Sequence, residues 1–188
     1  MNDPHRILVP LAQGFEETEA VTIVDVLRRA GLDVTVAGLQ AGPVRGSHGI
    51  TVVPDASLGE LELDRFTMVV LPGGMPGTRN LMRDGALLEL VRRLHREGRP
   101  TAAICAAPLV LQEAGILAGV AVTSHPSVRE ELSQAVVRSA PRVVKSGSVT
   151  TSQGVGTALE FALALVADLV SAEKSAELAR AMVVDAPR

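Results

Sequence analysis

The sequence predicts an α/β domain, with a mostly parallel sheet covered by helices on both faces. Three observations predict it. Short β-branched or apolar runs alternate with helical periodicity along the 188 residues. Several of those runs are apolar throughout, as strands buried on both faces are. Polar or Gly-rich motifs follow the strands at Gln13-Gly14, Pro72-Gly73-Gly74, Cys105 and Ser124-His125. In open parallel sheets, sites form outside the carboxyl ends of the strands.

Each element follows from local pattern. Residues 6–11 read as a buried strand. Residues 17–30 read as a helix with Ala20, Val24 and Leu27 on one face and Gly31 as its stop. Residues 33–37, rich in Val and Thr, form the next strand. A shorter strand at 51–53 ends at Pro54. Residues 68–71 form an apolar strand leading into Pro72-Gly73-Gly74. A helix at 87–97 closes at Gly98 and Pro100, and a strand at 101–104 runs into Cys105. A helical run from Ala107 to Ala114 begins at once, with Gly115 as its stop.

The second half is less regular. A strand at 120–123 ends at Ser124-His125-Pro126. Strands at 143–145 and 149–151 flank Ser146-Gly147-Ser148, a hairpin turn. Gly154-Val155-Gly156-Thr157 opens a long helix through Val170, and a last helix spans 172–182. There is no internal repeat, low-complexity tract or linker, so residues 1–188 are expected to form a single domain.

Composition narrows the function. Aromatic residues are 2% of the chain, with no Trp or Tyr, which argues against stacking platforms for single-stranded nucleic acid. A net charge of −3 argues against a general nucleic-acid or anionic-membrane binder. The basic group Arg92, Arg93, His95, Arg96 and Arg99 lies on the amphipathic helix and reads as a solvated face. A single cysteine excludes an intrachain disulfide and a multi-cysteine metal site, and fits a reducing compartment. The N-terminus lacks a signal-peptide pattern, and no uncharged apolar run reaches spanning length. A cytoplasmic location is expected, with no metal and no cofactor.

The chemistry gathers at the strand ends. Cys105 sits where a strand turns into a helix, at the positive end of a helix dipole. Such a place favours an anion, and the thiol is expected to fall below its free pKa of about 8.5. Glu16 and Glu17 suit the first turn of a helix by the same dipole. Glu19 faces the same strand ends as Cys105. A carboxyl held near a thiolate keeps its proton, since two anions at one site raise a pKa. It can then donate to sulfur and shuttle a proton. Gly73 and Gly74 let backbone N–H groups approach a reacting oxygen. Cys105 with His125 suggests a nucleophile–base pair, although spacing alone does not bring them together. Gly154-Val155-Gly156-Thr157 is a poor phosphate loop: no Gly-Lys-Ser/Thr follows, and helix packing explains it better.

These motifs, in order, resemble the ThiJ/PfpI superfamily, in its DJ-one (DJ-1) branch with bacterial YajL-like members. The resemblance rests on Gly14-Phe15-Glu16-Glu17-Thr18-Glu19, Val24-Asp25-Val26-Leu27-Arg28-Arg29-Ala30-Gly31 and Pro54-Asp55-Ala56-Ser57-Leu58. It continues through Val70-Leu71-Pro72-Gly73-Gly74, Ala102-Ala103-Ile104-Cys105-Ala106-Ala107-Pro108, Thr123-Ser124-His125-Pro126 and Thr151-Ser152-Gln153-Gly154-Val155-Gly156-Thr157. It implies a flavodoxin-like three-layer sandwich and a homodimer. It makes Cys105 the reactive thiol at a strained elbow, Glu19 its protonated partner, and the amides of Gly74 and Ala106 an oxyanion pocket. His125 would lie nearby, and Glu16, Gly73, Arg29, His48 and Gln153 would rim the site. Some relatives carry arginine where this chain has His48 and Gln153.

The resemblance implies a glutathione-independent glyoxalase or protein deglycase. It would act on glyoxal, methylglyoxal or their protein adducts and release glycolate or lactate. The alternative is an oxidative-stress sensor or redox-linked chaperone working through a Cys105 sulfinate. A protease is disfavoured, because protease-like relatives place His directly after the nucleophile and here Ala106 follows Cys105. The thiamine-biosynthesis label attached to the superfamily finds no basic phosphate pocket here. Neither nucleic acid nor a membrane is expected as a partner.

Overall fold

The computed structural model describes residues 5–184. In chain order the first half comprises β1 (Arg6–Leu11), α1 (Glu17–Arg29), β2 (Asp33–Gly38), β3 (Val44–Arg45), β4 (Thr51–Val52), β5 (Ala56–Ser57), β6 (Met68–Leu71), α2 (Gly77–Leu81) and α3 (Gly85–Arg96). The second half comprises β7 (Thr101–Ile104), α4 (Pro108–Glu113), β8 (Ala121–Val122), β9 (Val136–Val137), β10 (Val143–Ser146), β11 (Val149–Ser152), α5 (Ala158–Leu169) and α6 (Ala172–Ala181).

Seven strands form one sheet in the order β10-β11-β7-β6-β1-β2-β5. Every pairing is parallel except the β10–β11 hairpin. The period of two in β1, β6 and β7 divides their side chains between two cores. Leu8, Val69, Leu71 and Ala103 meet α3 and α4 through Leu87, Leu94, Leu109 and Val110. Ile7, Val9, Val70, Ala102 and Ile104 meet α1 and α5 through Ile23, Leu27, Phe161 and Val166. Burying each of the larger side chains stabilises the fold by about 1.5–3 kcal/mol. The expected α/β architecture, with helices on both faces, is therefore the observed one.

Two strand expectations and one helix expectation need correction. The segment at 51–53 is a strand only at Thr51–Val52, and it pairs with β3 outside the main sheet. The segment at 120–123 is a strand only at Ala121–Val122, in a separate parallel pair with β9. The helix after Cys105 is a six-residue element. Both segments read as longer strands because their β-branched residues fit any half-buried extended chain. The basic group on α3 is engaged locally: Arg93 donates to the carbonyls of Leu63 and Phe66 and pairs with Glu97, while Arg96 pairs with Glu89. Among the described residues no helix is long and apolar enough to cross a membrane.

Candidate active site

The central strands end together, and the site forms there. β7 lies between β6 and β11, and all four of its residues are buried. The chain must then turn into α4 within three residues. It does so by placing Cys105 at φ +63°, a left-handed conformation that costs a side-chain-bearing residue about 1–2 kcal/mol. Three backbone hydrogen bonds hold the turn. The Cys105 N–H donates to Ser152 O at 3.0 Å, the His125 N–H to Cys105 O at 2.9 Å, and the Ala107 N–H to Ile104 O at 2.9 Å. The elbow carries the half-buried Cys105 thiol into a pocket of about 370 Å³ lined by Gly74, Met75, Ala106, His125, Ser127, Val128 and Glu131.

Glu19 approaches from α1. Glu16 caps that helix, its Oε2 accepting the Glu19 N–H at 2.6 Å. The Glu19 side chain is fully buried. Its Oε2 accepts the Gly73 N–H at 2.9 Å, while Oε1 is buried with no partner of ordinary hydrogen-bond geometry. A Cβ on Gly73 would stand 2.6 Å from the Cys105 Cβ and 2.9 Å from Glu19 Oε2, so only glycine lets these groups meet. The place where a Cβ would sit on Gly154 is 3.9 Å from both Cys105 Sγ and Glu19 Oε1, and 3.5 Å from Cδ2 of His125. Groups from three separate strand ends and one helix start thus surround one point.

The electrostatics depart from the sequence expectation. Burial pushes the Cys105 thiol up to about 12, and the charge and hydrogen bond of Glu19 push the same way. The amides of Ala106 and Gly74 act on the sulfur in the opposite sense. The expected lowering of the thiol is overturned because desolvation outweighs those donors. Burial likewise raises Glu19 to about 7, against the Gly73 amide and the thiol, with the charge of Glu16 adding to the rise. The two groups share one cavity, which favours a single negative charge between them. With the proton on Glu19, its repulsion of a thiolate vanishes and the two amides remain.

His125 lies at the exposed mouth. Its Nδ1 is 2.8 Å from Ser127 Oγ and accepts the Ser127 N–H at 3.3 Å. No hydrogen bond joins its ring to the sulfur among the described residues; its firm tie to Cys105 is through the main chain.

The expected rim divides. Gly73 and Glu16 support Glu19, as above. His48 sits over the α1 N-terminus beside Glu17, not against the thiol. Burial would raise Glu17, but N–H donors from Glu17, His48 and Ile50, together with the His48 ring, hold it below its ordinary value. Gln153 turns its amide to Ser139 O at 2.9 Å. Arg29, expected on the dimer-facing part of the rim, stands at the far end of α1, where it pairs with Asp25 at 2.7 Å. Pattern reading missed Met75, Ser127, Val128 and Glu131 in the pocket wall. Only Ser127 left a signal, as a Ser directly after a His-Pro pair, where it can hold the imidazole.

A sequence profile described as the DJ-1/PfpI family matches residues 5–168. Protein dj-1beta of Drosophila melanogaster is 42% identical over 179 residues, covering 94% of this chain and 96% of the relative. A crystal structure of Drosophila melanogaster DJ-1beta matches with a TM-score of 0.94 at 41% identity, covering 98% of this chain and 100% of that one. The Caenorhabditis elegans protein named glutathione-independent glyoxalase DJR-1.2 is 38% identical over 173 residues, covering 92% of this chain and 91% of the relative. A structure described as oxidized Toxoplasma gondii DJ-1 matches with a TM-score of 0.89 at 35% identity, covering 95% and 98%.

Proposed function

The chain belongs to the DJ-1/PfpI family, and from that premise we propose that it is a cysteine-dependent glyoxalase acting on glyoxal, methylglyoxal or their protein adducts. The observation that carries this reading is the fully buried Glu19 carboxyl beside the Cys105 thiol, with Oε1 lacking a hydrogen bond of ordinary geometry. A carboxyl with a pKa near 7 can give and take a proton at neutral pH. The thiolate adds to the aldehyde carbon of methylglyoxal, and the resulting oxyanion is stabilised by the amides of Gly74 and Ala106. Glu19 gives its proton to that oxyanion, then as a carboxylate takes the proton from the same carbon and returns it to the neighbouring carbonyl carbon, while the hydroxyl proton passes to the new alkoxide to leave a lactoyl thioester. One carbon is oxidised and the next reduced, so the electrons balance within the substrate. Water then cleaves the thioester, releasing lactate and the thiol. The name of the Caenorhabditis elegans relative supports the same reading.

The test is lactate formation from methylglyoxal without glutathione. Wild type should turn over, while Cys105→Ala and Glu19→Gln should each lose at least about a hundredfold. Normal turnover by Glu19→Gln would remove Glu19 from the mechanism.

A second reading is an oxidative-stress sensor or redox-linked chaperone. It is supported by the partly exposed thiol and by the oxidized Toxoplasma gondii neighbour. One peroxide would convert the thiolate to a sulfenate and a second would carry it to the sulfinate, each step releasing water or hydroxide. An inactive wild type whose reduced Cys105 oxidises in Glu19→Gln as well would favour this reading. We further place the protein in the cytoplasm as a homodimer.

A further inference from the structure

The thiol pocket has two walls that reach it from different parts of the fold. One is the Gly74-Met75 loop, which runs into α2. That helix is anchored to the loop after β1: the Gly77 N–H donates to Gly14 O at 3.1 Å, and Asn80 Nδ2 to Gln13 O at 3.0 Å. The other wall is a short 3₁₀ helix, Pro126–Glu131, capped by His125. It is anchored to α4, where Gln112 Nε2 donates to Glu131 O at 2.8 Å. A side-chain ion pair, Arg79 with Glu131, joins the two walls.

The pair is not symmetric about the pocket. Glu131 lines it and Arg79 does not. Arg79 takes only Oε2 of the carboxylate, and its Nη1 is drawn off to Met82 Sδ at 3.8 Å. No Lys or Arg lines the pocket among the described residues. Arg129, on the same 3₁₀ helix, gives its guanidinium to Ser124 O at 3.4 Å, and the exposed Glu130 lies outside the wall. Coulomb energy falls with distance, so the nearer charge dominates. The pair therefore sets its negative end toward the space beside Cys105. That space, about 370 Å³, is in the range that holds drug-sized ligands and is more than a three-carbon aldehyde fills. A molecule bonded to the sulfur has room for a tail, and Glu131 is the acidic side chain that tail meets.

We propose that Glu131 is a specificity residue of this pocket. It admits to Cys105 electrophiles whose tail is neutral or positively charged, and it turns away those that end in a carboxylate, sulfonate or phosphate. Arg79 positions the carboxylate and partly offsets its charge. Under the glyoxalase reading, on which only this naming of the substrate rests, the substrate is a 2-oxoaldehyde without an anionic tail.

The experiment follows labelling of Cys105, the only cysteine of the chain, by three methanethiosulfonates. One carries a trimethylammonium tail, one a sulfonate tail, and one is the neutral methyl reagent. Each rate is divided by that of the same reagent with 2-mercaptoethanol, and the cation-to-anion ratio is read. Glu131→Gln should lower that ratio at least about threefold, and Arg79→Ala should raise it by removing the offsetting charge. Both side chains are partly exposed, at 43% and 42%, so the substitutions leave the core intact and both shifts should shrink in about 0.5 M sodium chloride. The neutral reagent should label wild type and both variants alike. The proposal is overturned if Glu131→Gln leaves the ratio unchanged, if both substitutions move it in the same direction, or if the neutral reagent changes as much as the charged ones. Labelling needs no turnover: a wild type that is charge-selective but inactive on methylglyoxal would remove the glyoxalase reading and leave this one standing.

Discussion

Replacing Glu19 by Gln separates storing a proton from donating a hydrogen bond. Folding raises this carboxyl from an ordinary 4.5 to about 7, chiefly by burial. A raised folded-state pKa gives stability that is fully present below pH 4.5 and lost as pH rises through 7. Wild type should therefore lose stability on the order of 3 kcal/mol from this group between pH 4.5 and 8. Glutamine does not titrate, so the stability of Glu19→Gln relative to wild type should climb across that window. Urea unfolding at pH 5 and pH 8, in chelator-treated buffer, reads the difference; a gap that does not change with pH would show that Glu19 is not titrating as described. His125 poses the complementary case. Its Nδ1 is committed to Ser127 and no ring nitrogen bonds the sulfur, so it is badly placed as the base. General-base groups contribute about 10²–10⁴-fold. His125→Ala should keep methylglyoxal turnover within about tenfold of wild type, and a loss beyond a hundredfold would restore it as the base.

At the scale of elements, α3 shows how a local signal secures a wall of the core. Asp84 caps it by accepting the Leu87 N–H at 2.8 Å, and the helix buries Leu87, Leu90, Val91 and Leu94. Asp84→Ala should lower unfolding free energy by about 1 kcal/mol and leave the reactivity of Cys105 toward a thiol reagent unchanged. A change in that reactivity would mean that α3 positions the elbow. Elements of this kind were legible in the sequence because period 3.6 or an apolar run marks them over many residues. Three of the five two-residue strands were not: β3, β5 and β9 carry too few residues for a period, and tertiary pairing alone defines them. The site divided the same way. Cys105, Glu19 and the Gly73-Gly74 turn follow from strand ends and a helix start, while the pairing of the Gly74 and Ala106 amides came from the family resemblance. The thiol's electrostatics did not follow, because desolvation depends on what the whole cavity excludes. The partners of His48 were equally hidden, since a turn some 30 residues on brings it back to α1.

The whole molecule leaves one side unfinished. α1 sends Glu19, Ile23 and Leu27 inward, yet Val21 on the same helix is half exposed, and Ile50 and Val53 beside β4 are more exposed still. Val21 and Val53, with Val24 and Val52, line one groove of about 270 Å³ edged by Arg28, Asp25 and Asp55. An apolar surface rimmed by charge is the usual form of an interaction face. A second copy of the chain would bury it and would brace the helix that carries Glu19 from its outer side. On sedimentation equilibrium the wild type should therefore weigh twice its 19.6 kDa chain. Val53→Asp puts a charge where a partner's apolar surface would lie and removes nothing from the core, since Val53 is 76% exposed. It should sediment at the mass of one chain with an unchanged circular dichroism spectrum. A wild type that remains a single chain at tens of micromolar, or a Val53→Asp variant that stays paired, would show that this face serves something other than self-association.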